Sequence, residues 1–231
     1  MYVRQLEVQG IEADDLMAEY CRISENEQKL IFSSDRDLTQ LISEKVSIYS
    51  PSLRTTFKNG DKIKFGDFEF PHENVLTLKI MMGDKSDNIE GIQSLGEKTI
   101  VKFFPELLER KVSYQELLEK AEILLKEQKD NTTLKNILTG KTKSGIFEQE
   151  YYQINEKIVD LSNPLLNDDA KEQVGLIYTE KLDTEGRSYK NLIKFMVNDG
   201  IFKFLPKTDD AWTYFITPFL KLTRKEKSKT K

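Results

Sequence analysis

The chain has 231 residues, 38% of them hydrophobic and 32% charged, which suits one large domain or a core with a smaller companion. This composition excludes a disordered or collagen-like chain. No apolar run approaches the roughly 18 to 20 residues of a membrane span, and the first residues lack the pattern of a cleaved signal. A single cysteine, Cys21, and a single histidine, His72, exclude an internal disulfide and a Cys/His zinc site. We therefore expect a cytoplasmic protein with no membrane partner.

The charge balance is slightly acidic, with 35 Lys and Arg against 39 Asp and Glu and a net charge of -4. Nucleic-acid-binding proteins are usually basic. Either the partners of this chain are not polyanions, or its acidic groups are concentrated where cations bind and its basic groups lie elsewhere.

The first 70 residues predict alternating strands and helices. Residues 4–10 alternate like a short strand, and residues 12–23 carry a helical apolar face. Residues 30–33 are typical of a buried strand, with a helix starting near residues 35–37 and another short strand at residues 46–50. Residues 52–70 are expected to form a loop or an edge hairpin. This order indicates an α/β fold with a parallel sheet.

After Pro71 the pattern becomes helical. Ser113 and Glu116 form a capping-box pattern at the start of one of these helices. The predicted helices span residues 71–82, 99–110, 113–125, 147–161 and 189–205. Six aromatic residues near the C-terminus are expected in the core of this helical part: Phe202, Phe204, Trp212, Tyr214, Phe215 and Phe219. Residues 221–231 are expected to form a frayed basic tail.

Acidic residues cluster at three turns. The first two clusters follow consecutive strands, and the carboxyl ends of parallel strands meet at one edge, so we expect both to face the same crevice. Carboxylates held that close need a cation, and oxygen ligands without His or Cys suit Mg²⁺ or Mn²⁺. The alternative is that each acid simply caps a helix. The clusters are Glu12, Asp14 and Asp15; Asp35 and Asp37; and Asp84 and Asp87.

The third cluster lies in a stretch that matches two common motifs only in part. A calcium-binding EF-hand loop starting at Asp84 would need Gly and Glu where Ile89 and Leu95 stand. A nucleotide-binding P-loop is excluded because Glu97 is inserted before Lys98 and no strand precedes it. What remains is a glycine-bearing turn between two helices, of the kind that presents backbone N–H groups to an anion.

Three motifs together resemble the 5′-nuclease, or flap endonuclease, family, in particular its bacteriophage ribonuclease H and 5′-3′ exonuclease branch. They are G-I-E-A-D-D at residues 10–15, S-S-D-R-D at residues 33–37, and G-D-K-S-D-N-I-E-G-I-Q-S-L-G-E-K-T at residues 83–99. The resemblance implies a PIN-like sheet core at residues 1–70, a helical helix-three-turn-helix DNA-binding domain at residues 71–220, and the basic tail at residues 221–231.

The resemblance also implies site residues for metal-dependent phosphodiester hydrolysis in a bacterial or phage-infected cytoplasm. Glu12, Asp14 and Asp35 resemble ligands of a first metal ion. Asp37, Asp84 and Asp87 resemble ligands of a second, and Asp15 resembles a supporting acid. Gly91, Ser94, Gly96, Lys98 and Thr99 match a DNA-gripping turn that often surrounds a K⁺ ion. The implied substrates are branched or 5′-ended duplex DNA, or an RNA–DNA hybrid.

The chain departs from the family in the short segment that precedes Glu12, where family members carry about a hundred residues. We therefore expect a split nuclease that needs an N-terminal partner polypeptide, because all six matched acids remain. Two alternatives stay open: a non-catalytic, structure-specific DNA-binding module, and an ordinary enzyme with a misassigned start. A weaker hypothesis is that residues 213–222 contact a sliding clamp or a single-strand binding protein.

Overall fold

A computed structural model describes residues 4–145, 150–181, 189–204, 210, 212–217 and 220–221. Residues 7–175 form one compact unit, and residues 1–6 together with residues 176–231 form another. In these described ranges, none of the helices has the length and apolar character needed to cross a membrane.

The larger unit begins with two small sheets. Strands β1 and β2 are parallel, with Lys29 opposite Val46 and Phe32 opposite Tyr49, and β3 adds to β2 in the antiparallel sense. Strands β4 and β5 form a separate antiparallel hairpin. The elements in chain order are α1 (Ala13–Ile23), β1 (Lys29–Phe32), a 3₁₀ helix (Asp37–Leu41), β2 (Val46–Ser50), β3 (Thr55–Phe57), β4 (Lys62–Phe65) and β5 (Phe68–Pro71).

The predicted α/β order is confirmed, but two predicted elements are wrong. Residues 4–10 form no strand, because an alternating pattern makes a strand only where a neighbouring strand pairs with it. The predicted helix after β1 is a single 3₁₀ turn. The side chain of Ser43 accepts hydrogen bonds from the amides of Lys45 and Val46, so it turns the chain into β2 within a few residues.

The described residues after β5 are mainly helical, as predicted. The predicted capping box at Ser113 is confirmed, since its hydroxyl accepts from the amide of Glu116. The helix predicted at residues 99–110 is broken at Pro105, whose missing N–H cannot continue it. The elements are a 3₁₀ helix (His72–Asn74), α2 (Val75–Met82), α3 (Glu97–Phe103), a 3₁₀ helix (Pro105–Leu108), α4 (Tyr114–Glu127), α5 (Thr132–Thr139), α6 (Tyr151–Val159), α7 (Asp168–Thr179), α8 (Tyr189–Asn198) and a 3₁₀ helix (Ile201–Phe204).

Two hydrophobic clusters hold the larger unit together. The main core joins the β4–β5 hairpin to α2, α3, α4, α5 and α6, and it includes the fully buried Phe70, Phe104 and Leu117. The small core joins α1 to β2 and the 3₁₀ helix between the strands, through Ala18, Leu38, Ile42, Ile48 and Leu161. The main core takes residues from both sides of position 70, and the division into catalytic and DNA-binding domains stays a prediction.

The predicted aromatic core near the C-terminus is wrong for two residues. Phe204 is 79% exposed and Tyr214 is 85% exposed, while Trp212 and Phe215 are half-buried and stacked on each other. The side chains of Phe202 and Phe219 lie outside the described residues. So do residues 147–149, Leu205 and all of the predicted basic tail except Lys221.

Candidate metal centre

The first two acidic clusters lie in short segments that are held by hydrogen bonds between neighbouring residues. Glu12 directly precedes α1, and Asp14 lies in its first turn, where its carboxylate accepts from the amide of Asp15 at 3.0 Å. After β1, the amide of Asp35 donates to the hydroxyl of Ser33 at 3.1 Å, and the amide of Asp37 donates to the Asp35 carboxylate at 2.9 Å. These local hydrogen bonds orient the carboxylates of Asp14 and Asp35.

The third cluster lies in a loop closed by its own backbone. Asp84 and Ile89 exchange two backbone hydrogen bonds, of 2.9 and 2.7 Å. The loop leaves α2 at Gly83, which has φ +74, and it passes very close to Gly91. A Cβ on Gly91 would lie 1.7 Å from the carbonyl oxygen of Met82, so only glycine fits there.

Tyr151 of α6 fastens this loop to α2 from the buried side. Its hydroxyl donates to the carbonyl of Ile80 at 3.1 Å and also contacts the carbonyl of Glu90. The position of the loop therefore depends on a residue far along the chain.

The structure brings all six predicted metal ligands to two adjoining cavities. A cavity of about 210 Å³ is lined by Glu12, Asp14, Asp35, Asp37 and Asp87. A more open cavity of about 420 Å³ is lined by Asp35, Asp37, Asp84 and Asp87. Because three aspartates line both cavities, they are adjoining parts of one acidic site.

The tightest group in this site is the acidic triad Asp37, Asp84 and Asp87, with one carboxylate oxygen from each within 4.8 Å of the others. The ammonium of Lys79, which is only 5% exposed, lies among them. Its Nζ is 2.8 Å from Asp84 Oδ2 and 3.0 Å from Asp87 Oδ2, and it contacts Asp37 more closely still. The three carboxylates thus already surround one positive charge, the ammonium of Lys79, at the position where they could bind a metal ion.

Lys79 is the functional residue that the sequence interpretation missed. The signal was a lysine in helix α2, where Thr77 is the only other polar residue, five residues before Asp84. A buried lysine must be paired, and paired acids within reach of α2 were its available partners. The chemistry of the site fits a divalent metal, because the oxygens are hard ligands and a positive charge is stable at their centre.

Burial and the lysine act in opposite directions on this triad. Burial raises the pKa of Asp37 to about 6, against the lowering effect of Lys79. Burial also acts to raise the pKa of Asp84, but hydrogen bonds from Lys79 and Ser86 bring it down to about 2. Burial would lower the pKa of Lys79, yet its three carboxylate partners hold it well above its usual value.

Asp15 has a different environment from its neighbours. Its carboxylate accepts from the amide of Leu165 at 3.0 Å, and burial raises its pKa. It ties α1 to the segment before α7, and its supporting role at a metal site stays a prediction.

The predicted DNA-gripping turn follows the loop of residues 83–91, called the metal loop below, and its last two residues, Lys98 and Thr99, lie in the first turn of α3. Ser94 has φ +66, and it is exposed together with Gly96 and Lys98, whereas Thr99 is half-buried and Gly91 is buried. The ammonium of Lys98 is 3.4 Å from the carboxylate of Asp67, and both side chains are largely exposed. Three of the five predicted residues are therefore exposed, and the buried Gly91 packs against the end of α2.

Comparison with known proteins shows which family the chain resembles. Residues 1–67 match the family model for the N-terminal resolvase-like domain of 5′-3′ exonucleases. The flap endonuclease-like 5′-nuclease resemblance is confirmed. DNA polymerase I of Rhizobium leguminosarum is 36% identical over 135 residues, which cover 57% of this chain and 13% of the polymerase. A 5′-3′ exonuclease of Buchnera aphidicola is 35% identical over 99 residues, which cover 42% of this chain and 34% of that protein.

Solved structures of flap endonuclease-like nucleases confirm the PIN-like fold. The 5′-exonuclease of bacteriophage T5 with bound zinc aligns with a TM-score of 0.56 and 21% identity, covering 74% of this chain and 60% of that one. A T5 flap endonuclease complex with DNA and metal ions aligns with a TM-score of 0.55 at 20% identity. The chain therefore spans only part of the length of each of these relatives.

Proposed function

We propose that the chain is the metal-binding and DNA-binding portion of a structure-specific 5′-nuclease that hydrolyses phosphodiester bonds in DNA replication or repair. The observation that carries this proposal is the arrangement of six acids around two adjoining cavities. Glu12, Asp14 and Asp35 would hold one divalent ion. Asp37, Asp84 and Asp87 would hold another.

Mg²⁺ is the ion we propose, with Mn²⁺ as its substitute, because the donors are all carboxylates. When bound, such ions activate a water molecule and stabilise the attacking and leaving oxygens of the phosphodiester. The chain's own part is to hold these carboxylates in place, and Lys79 offsets the mutual repulsion of the triad.

The substrate we propose is branched or 5′-ended duplex DNA, or an RNA–DNA hybrid, in a bacterial or phage-infected cytoplasm. Ser94, Gly96, Lys98 and Thr99 would grip its phosphates on the exposed turn, with Gly91 shaping the turn and a K⁺ ion bound there. In this proposal residues 1–70 serve catalysis, residues 71–220 serve DNA binding, and residues 221–231 are a basic tail.

Cleavage of a fluorescent 5′-flap duplex in Mg²⁺ tests the proposal. Asp35→Asn and Asp37→Asn should each abolish the Mg²⁺-dependent product. Asp130→Asn is the matched control, since Asp130 is fully exposed and distant in sequence from the acidic site. Equal activity in all three variants would refute the assignment of the ligands.

An N-terminal partner polypeptide is part of this proposal, and the open edge of β1 supports it. Leu30 is 63% exposed and Phe32 is 70% exposed on β1, which pairs only with β2 among the residues that the structure describes. Parallel strands are normally covered on both faces. Adding the product of the neighbouring reading frame should therefore raise flap cleavage, and Phe32→Lys should reduce that increase. No cleavage with or without this product would refute the split-nuclease hypothesis.

The second candidate is a non-catalytic DNA-binding module, and the position of Lys79 favours it, because the triad already has a counterion. This candidate predicts duplex binding that survives Asp37→Ala and Asp84→Ala without a divalent ion. Binding that requires both acids and the ion would favour the enzyme instead.

We also propose that residues 213–222, where Tyr214 is exposed, contact a clamp or single-strand binding protein. Unchanged partner binding after deletion of residues 212–231 would refute that contact.

A further inference from the structure

In the sequence, Arg36 lies between two proposed metal ligands, Asp35 and Asp37. Its side chain forms an ion pair with neither of them. Its guanidinium lies over the ring of Phe65, with Cζ 4.5 Å from the ring centroid, and it donates to the carbonyl of Lys64 at 3.3 Å. Across the described ranges of the chain, no carboxylate lies within ion-pair distance of Arg36. The residue is exposed and held by its support on β4.

The cavities next to Arg36 connect the two parts of the proposed site. Arg36 lines the 420 Å³ cavity that holds Asp37 and Asp87. It also lines a groove of about 630 Å³ that is bounded by Gly91 and Gly96 of the turn. Lys85 and Lys143 line the same groove. A strand that runs from the turn to the acids would therefore pass Arg36.

We propose that Arg36 binds a backbone phosphate of the nucleic-acid strand between the glycine turn and the acidic site. A guanidinium binds phosphate through two parallel hydrogen bonds, and it can do so here without first breaking an ion pair. The acids beside it repel phosphates, so a cation at this point offsets that repulsion where the strand must approach them. The ring of Phe65 limits the freedom of the side chain, which lowers the entropy lost on binding.

This inference rests on the proposed function and deepens it, because it names a contact for the same substrate. It differs from a purely structural role of Arg36, in which the side chain only packs on Phe65. A structural role would change the stability of the fold without changing the number of ions released on binding DNA.

The test measures binding of a fluorescent 5′-flap duplex by anisotropy in Ca²⁺ at several salt concentrations. Arg36→Ala should weaken binding roughly tenfold, and it should reduce the slope of log K against log salt by about 0.9, the value for one phosphate contact. Arg36→Lys should keep the slope, because the charge remains, while binding is weakened by the loss of the paired hydrogen bonds.

Lys126→Ala is the matched control, since it removes one exposed positive charge from α4, away from both cavities. It should leave the slope unchanged, and thermal unfolding should show that every variant is folded. An unchanged slope in Arg36→Ala, with binding by the wild type intact, would overturn the role of Arg36 alone. No duplex binding by the wild-type chain would overturn the proposed function together with this inference.

Discussion

The two cores of the larger unit support the acidic site in different ways. On the side of the main core, Asp84 and Asp87 lie in a loop that is closed by backbone bonds and fastened by Tyr151. On the side of the small core, Glu12 directly precedes α1, and Asp35 follows β1, which pairs along one edge only in the described part of the chain. The half of the site with Asp84 and Asp87 is thus supported by the packing of the main core. The half with Glu12 and Asp35 depends on hydrogen bonds between neighbouring residues.

The difference shows that the proposed metal site is not equally stable throughout. Substitutions on the main-core side should affect folding first. Those on the small-core side should cost less stability, and substitutions at its exposed residues should mainly affect what the chain binds. Four substitutions test this contrast.

The largest effect is expected at Gly91. In Gly91→Ala, the new Cβ meets the carbonyl of Met82, so the free energy of unfolding should fall by about 3 kcal/mol or more. Thermal or urea unfolding measures it. Gly96→Ala is the matched control, because a Cβ there has no atom within 4 Å, and it should change stability by less than about 0.5 kcal/mol. Similar losses in both variants would contradict the close packing of the metal loop.

The next largest effect on stability is expected at Lys79, which contacts acids from both halves of the site. Lys79→Met leaves the partly buried triad without its cation, so the free energy of unfolding in EDTA should fall by about 2 kcal/mol. Mg²⁺ should raise the melting temperature of this variant more than that of the wild type. Lys98→Met removes a lysine that is 81% exposed and should change neither value. If Mg²⁺ stabilises wild type and Lys79→Met equally, the triad does not bind the ion.

A smaller effect is expected on α1, where the buried carboxylate of Glu19 accepts two hydrogen bonds from Arg22, of 2.7 and 2.6 Å. Arg22 thereby lowers the pKa of Glu19 below its usual 4.5. The stabilisation is present above that value and is lost as the pH falls through the lowered pKa. Glu19→Gln should therefore cost about 1 kcal/mol at neutral pH, and unfolding curves of the two proteins should converge in acid. A constant difference at every pH would contradict this pairing.

The smallest effect on stability is expected at the open edge. Phe32→Lys should change the free energy of unfolding by less than about 0.5 kcal/mol, because the ring is exposed. The same substitution should reduce self-association, measured by light scattering, since an apolar edge strand is a template for pairing. A large loss of stability would show that the edge is already covered within this chain.

Local signals in the sequence were sufficient for part of this structure. The capping box at Ser113 and the apolar face of α1 depend on neighbours three or four residues away, and both were predicted correctly. The approach of the first two acidic clusters was expected from strand order, although residues 4–10, which precede the first cluster, form no strand. The third cluster was outside that argument. Lys79 was missed because its partners are spread over 50 residues of sequence from Asp37 to Asp87, and no local pattern marks a shared counterion. Pro105 indicated the break after α3. The helical spacing of the apolar residues around it nevertheless led to the prediction of one continuous helix.

The hydroxyl of Tyr151 also has a consequence for the order of folding. It joins carbonyls that precede it by 71 and 61 residues, so the metal loop gains its last support from a segment that is synthesised after all six acids. Contacts of such long sequence separation form late, because the intervening chain must first be ordered. A chain that stops before α6 would contain every proposed ligand and still lack the geometry that makes them a site.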